Sequence, residues 1–132
     1  KLKHIIQGTV IGIIETGVML FVFSKIMNDL DLFGIFGVAD LSVHAGLIFF
    51  SMLYAPVSMV TSIISSVISR KNEFSADKYS YETTNNKEAL ISMLIGLAAN
   101  NLAHLTPHPF KVFLTYSHPP VLDRIEAIQK LS

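Results

Sequence analysis

The chain has 132 residues, of which 51% are hydrophobic and only 15% charged, and its mean hydropathy of +0.51 lies well off the mix of a typical soluble domain. Ten Lys and Arg balance ten Asp and Glu, so the single-signed field that a nucleic-acid binder needs is missing, and no nucleic-acid partner is expected. With no Cys, disulfide frameworks, thiolate zinc sites, iron–sulfur ligation and Cys nucleophiles fall away together; any metal site must use His and carboxylates.

The sequence opens at Lys1, and the apolar run from Ile5 has no small-residue cleavage site behind it. It reads as a piece of a longer protein, not as a signal peptide. Residues 5–24 form the first apolar stretch, interrupted by Gln7 and Glu15, which cost free energy in lipid unless they face protein or water. His4, Gly8, Gly12, Glu15 and Met19 fall on one helical stripe, with the two glycines spaced for close helix approach. A loop over 25–40 carries Lys25 against Asp29, Asp31 and Asp40.

From Leu41 to Ser69 run 29 residues without Asp, Glu, Lys or Arg. As a helix this is about 43 Å, against a hydrocarbon core of about 30 Å. Both stretches, 5–24 and 41–69, are read as transmembrane helices forming a hairpin, the second kinked at Pro56. His44, Ser51, Ser58, Ser62, Ser65 and Ser69 share a face; the serines either bond to carbonyls of their own helix or line a polar cavity. Lys1 and Lys3 before the hairpin and Arg70 and Lys71 after it make both outer flanks cytoplasmic by the positive-inside rule.

Residues 70–132 are then a cytoplasmic-side helical segment. Thr83 to Asn86 read as a turn and N-cap for a helix with Leu90, Met93, Leu94 and Leu97 on one face, ended by Asn100 and Asn101. Pro107 and Pro109 mark an irregular connection. A last helix starts near Pro120, with Val121, Leu122, Ile125 and Ile128 apolar and Glu126 four residues before Lys130. The fold class is an all-α integral membrane protein.

Glu73 and Asp77 stand at i and i+4, where like charges repel. A neighbouring cation would remove the conflict: Arg70 lies three residues before Glu73, and a metal or a metal-bound His is the other solution, while the plain alternative is a solvated charged face. Among the histidines, His104 and His108 have a zinc-helix spacing but enclose Pro107, which rules that helix out. His4 reads as a polar end of the first span and His44 as a membrane-boundary residue. Pro119 biases His118 towards an extended backbone and the helix behind Pro120 fixes it, which either aims an imidazole into a site or leaves an ordinary loop His.

Three segments together, Lys1-Leu2-Lys3-His4, Ser69-Arg70-Lys71-Asn72-Glu73-Phe74-Ser75-Ala76-Asp77 and Tyr116-Ser117-His118-Pro119-Pro120-Val121-Leu122-Asp123-Arg124-Ile125, resemble the C-terminal region of the CAAX prenyl protease 1 family, membrane zinc metallopeptidases of the M48 group. The resemblance implies an endopeptidase with several transmembrane helices around a hydrophilic chamber, in the endoplasmic reticulum membrane and possibly the inner nuclear membrane. It would remove the last three residues of prenylated CAAX proteins. The family's HExxH helix gives two His ligands to one Zn²⁺ and a Glu that activates water. The third ligand falls on Glu73, the Asp of the same motif, which orients a zinc-ligand His or shuttles a proton, on Asp77, and the oxyanion-stabilising His on His118.

No HExxH occurs in the 132 residues, and in the family it stands just before the position of Lys1. The chain is therefore expected to be an inactive piece by itself, part of a larger multi-span enzyme. Its expected partners are prenylated CAAX substrates and membrane lipid. Two other readings stand beside this one: a noncatalytic two-span membrane adaptor, and a related membrane quality-control metallopeptidase.

Overall fold

A computed structural model describes residues 3–131. Lys1 and Leu2, which belong to the N-terminal flank and to the first of the three segments above, lie outside the described residues. Among these there are six α-helices and no strand: α1 (His4–Met27), α2 (Leu30–Ile35), α3 (Val43–Thr84), α4 (Lys87–Asn100), α5 (Pro109–Thr115) and α6 (Val121–Gln129). The chain divides into two compact units, residues 3–62 and 63–131, and α3 contributes to both. By length and composition, α1 and α3 are apolar enough to cross a membrane.

In the first unit the segment read as loop over 25–40 holds α2. Asp29 caps it, its Oδ1 accepting from Leu32 N at 2.9 Å, which satisfies one of the donors a helix start leaves free. It closes on Gly37 at φ 75, with Gly37 N donating to Gly34 O and Val38 N to Phe33 O, both at 3.0 Å. That is the paired-bond stop in which a left-handed residue favours glycine. The reversal delivers Phe33, fully buried, to Ile26 of α1 and Phe49 of α3. Edge-on contact of Phe33 with Phe49 at 5.1 Å and stacking of Phe36 on Phe49 at 4.4 Å complete the cluster. Gly46 faces the same place: a Cβ there would meet the Met27 side chain and lie 3.2 Å from Phe33. Gly8 and Gly12, expected to admit a close neighbour, have open space around them. Along α3, Ser51 and Ser58 donate to Ile48 O and Ala55 O, at 2.7 and 2.9 Å, the first of the two uses weighed for the serine face.

The second unit begins inside α3, which runs without a break from the apolar stretch into Glu73 and Asp77. Asn85, at φ 49, turns the chain, and Asn86 caps α4 by accepting from Ala89 N at 3.0 Å. Leu94 and Ala98 are the buried face of α4 and Ile128 that of α6, and these two helices pack together. Met93 and Leu97, assigned to the same apolar face, are each 48% exposed, so the packed stripe is narrower than the periodicity suggests. The connection around Pro107 and Pro109 also contains a helix, α5: Pro109 occupies its first turn and His108 caps it, Nδ1 accepting from Phe110 N at 3.2 Å. Proline breaks a helix interior but suits a helix start, which is why the Pro-rich stretch hid α5.

Candidate metallopeptidase site

The site lies wholly in the second unit. Glu73 is four residues past Ser69 on α3, about 6 Å further along the helix axis. Asp77 follows one turn later and is buried. Two acidic groups so placed need a cation, and Arg124 of α6 supplies it. Its Nε donates to Asp77 Oδ2 at 2.8 Å and its Nη2 to Asp77 Oδ1 at 2.7 Å, the two-pronged geometry for which a planar guanidinium suits a carboxylate. Its Nη1 stands 2.9 Å from Glu73 Oε2. The Asp77 hydrogen bonds raise the Arg124 pKa above its ordinary value; burial opposes the shift, and the Asp77 and Glu73 charges add to it.

Arg70, the other arginine of the chain and the cation expected beside Glu73, points elsewhere. Its Nη1 donates to Val112 O at 3.2 Å and to Tyr116 O. Arg124 was within the quoted Tyr116–Ile125 segment but given no role. The sequence narrows the choice only to the two arginines, Arg70 and Arg124, and does not say which of them meets the carboxylate pair.

His118 meets Glu73 directly, Nδ1 against Oε1. Pro119 and Pro120 behind it are buried, and α6 starts at once, so the backbone carrying the imidazole is held on that side. The His118 side chain itself is 75% exposed. It borders an open cavity of about 490 Å³, also lined by Asn101, His104, Tyr116 and Ser117. Glu73, Asp77 and His118 are thus brought to one place, whereas His108 serves as a helix cap.

Among the described residues no three His, Asp or Glu side chains form a metal-binding group. What the site offers a metal is one carboxylate oxygen. Glu73 Oε2 is buried without a hydrogen-bond partner; Arg124 is near enough to form an ion pair with it but is not aligned as a donor. The ion pair offsets the burial of this oxygen, and a carboxylate oxygen is a suitable zinc ligand. Glu73 therefore fits as one member of a coordination set and the described residues do not fit as the whole of one.

Comparison with known proteins bears on the whole chain. The family described as "Peptidase family M48" matches residues 1–132. The chain is 30% identical to the human protein named CAAX prenyl protease 1 homolog, over 99% of this chain and 28% of that protein, and 32% identical to the mouse protein of the same name, over 98% and 27%. In structure it is similar to Saccharomyces mikatae Ste24p, with a TM-score of 0.81 and 24% identity, covering 96% of this chain and 32% of that one. The chain spans under a third of the length of these relatives.

Proposed function

The chain belongs to peptidase family M48, and on that premise we propose that it is part of a membrane zinc endopeptidase that removes the C-terminal tripeptide of prenylated CAAX proteins. The observation that carries this reading is the gathering of Glu73, Asp77 and His118 at one place around Arg124. The names of the relatives, CAAX prenyl protease 1 homologs, support the substrate class. The two long apolar helices support a membrane protein. The endoplasmic reticulum membrane and the inner nuclear membrane are the proposed locations, with lipid and prenylated substrate as partners.

When bound, the zinc supplies Lewis-acid polarisation of the scissile carbonyl and lowers the pKa of water. Glu73 would hold it as one carboxylate ligand. Two His ligands and the water-activating Glu come, in this reading, from an HExxH segment of the whole protein. Asp77 has about four acceptor positions; Arg124 takes one on each oxygen, which leaves room to accept from the second ring nitrogen of a zinc-ligand His and so fix its orientation. His118 stabilises the developing oxyanion. While its Nδ1–H is on Glu73, Nε2 can donate only from a doubly protonated ring; a neutral ring must release Glu73 to donate to substrate.

The test uses the full-length protein. Glu73→Ala is expected to lose zinc on purification, and full zinc occupancy would remove Glu73 from the ligand set. His118→Ala is expected to keep its zinc and lose about 10²–10³ in kcat; an unchanged kcat would refute the oxyanion role.

A further inference from the structure

We propose that Arg70 is a positioning residue for His118: its guanidinium ties the end of α5 to α3 and so sets where the imidazole stands against Glu73. The inference rests on the reading of His118 given above.

The tie is built from three observations. Arg70 Nη1 donates to two carbonyls at the end of α5, Val112 O at 3.2 Å and Tyr116 O at the C-cap. Val112 O also accepts from Tyr116 N at 3.2 Å and takes Arg70 on its second acceptor position, while Tyr116 O lies just past the helix; a cation there also meets the negative end of the helix dipole. Second, Arg70 and Glu73 are three apart on α3 and so are neighbours on its surface. The stretch from Val112 to His118 is therefore attached to one patch of α3 twice, through Arg70 at its beginning and through the Glu73–His118 contact at its end. Third, beyond His118 the chain is fixed by buried Pro119 and Pro120. With the Arg70 tie removed, the chain before His118 would lose its anchor on α3, and the imidazole, a mostly exposed side chain that packing does not confine, would rest on Pro119 and its own contact with Glu73. The cation that serves Glu73 and Asp77 is Arg124.

A misplacement of about 1 Å at a catalytic group can cost about 10²-fold in rate. In the full-length enzyme, Arg70→Met is expected to lower kcat by about 10–10² while leaving KM and zinc content near wild type. Arg70→Lys, which keeps a donor on a long stem, should recover most of the loss. In combination with His118→Ala, Arg70→Met should add nothing, because the group it positions is gone; coupled residues depart from additivity in this way. An unchanged kcat in Arg70→Met, or losses that multiply in the double variant, would overturn the proposal.

A readout that does not depend on catalysis separates this from the reading of His118. The chain contains no Cys, so a spin label at Ser117→Cys, in a full-length protein without other cysteines, reports on the loop alone. The label is expected to be restrained in the parent, mobile with Arg70→Met and restrained again with Arg70→Lys. If His118→Ala leaves kcat intact but the label behaves so, the oxyanion role fails and the tie stands. A label equally restrained in all three would refute the tie.

Discussion

The two units of the chain are held by different forces. In residues 3–62 the long-range contacts include an apolar and aromatic cluster: Phe33 with Phe49, Phe36 with Phe49, and Phe23 with Phe50 at 5.1 Å. In residues 63–131 the contacts that join distant parts of the chain include charged groups, Arg124 on Asp77 and Glu73, and Arg70 on the end of α5. Apolar packing is non-directional and tolerates many arrangements, whereas a forked guanidinium fixes angle and distance together. The unit that holds the candidate site is the one braced by directional bonds.

The sharpest way to break this contrast is to remove the cation from the second unit. Arg124→Met strands two carboxylates that are largely buried, a change that typically costs about 3–5 kcal/mol; thermal unfolding in detergent should show it, and Asp77→Asn introduced alongside should recover part of the loss. A Tm unchanged from wild type would show that the ion pairs contribute little. In the first unit, Phe33→Ala empties the centre of the aromatic cluster at an expected cost of about 3 kcal/mol. Because this damage lies in the apolar unit, zinc retention by the full-length protein should survive it, and loss of the metal would erase the distinction drawn here.

Smaller changes sharpen it. Leu102 ends α4 in the left-handed region, φ 49, and is 92% exposed, the position where a helix stop favours glycine. Leu102→Gly should raise the stability of the second unit by about 0.5–1 kcal/mol, read as a shift in denaturation midpoint. The smallest effect belongs to the surface. Glu126 titrates below its ordinary value because Lys130 Nζ donates to it at 2.6 Å. A carboxylate held low contributes stability above its unfolded pKa and loses it as pH falls through the folded one. This pair is exposed, so Lys130→Ala should return the Glu126 titration to normal by NMR with no measurable change in Tm.

The apolar spans were legible because periodicity and an uncharged run depend only on neighbours in sequence; α1 and the first part of α3 follow residues 5–24 and 41–69 closely. Asn86 as a cap and the start of α6 after Pro120 were legible for the same local reason. Both short helices escaped: α2 hid in a segment read only for its charges, and α5 behind two prolines. At the site, the shared face of Glu73 and Asp77 follows from their spacing, and His118 was marked by Pro119. Their partners were not, since Arg124 reaches Asp77 across 47 residues and Arg70 turns away from the acid three residues on. Side-chain reach across a tertiary fold leaves no periodic trace.

One arginine serving two acids has a further consequence for how such a sequence can change over time. Glu73, Asp77 and Arg124 form a single charge account, so no one of them can drift to a neutral residue without leaving the others unbalanced. Lineages that retain the site should show the three positions moving as a set or not at all, while Lys78, Glu82 and the other exposed charges nearby vary independently.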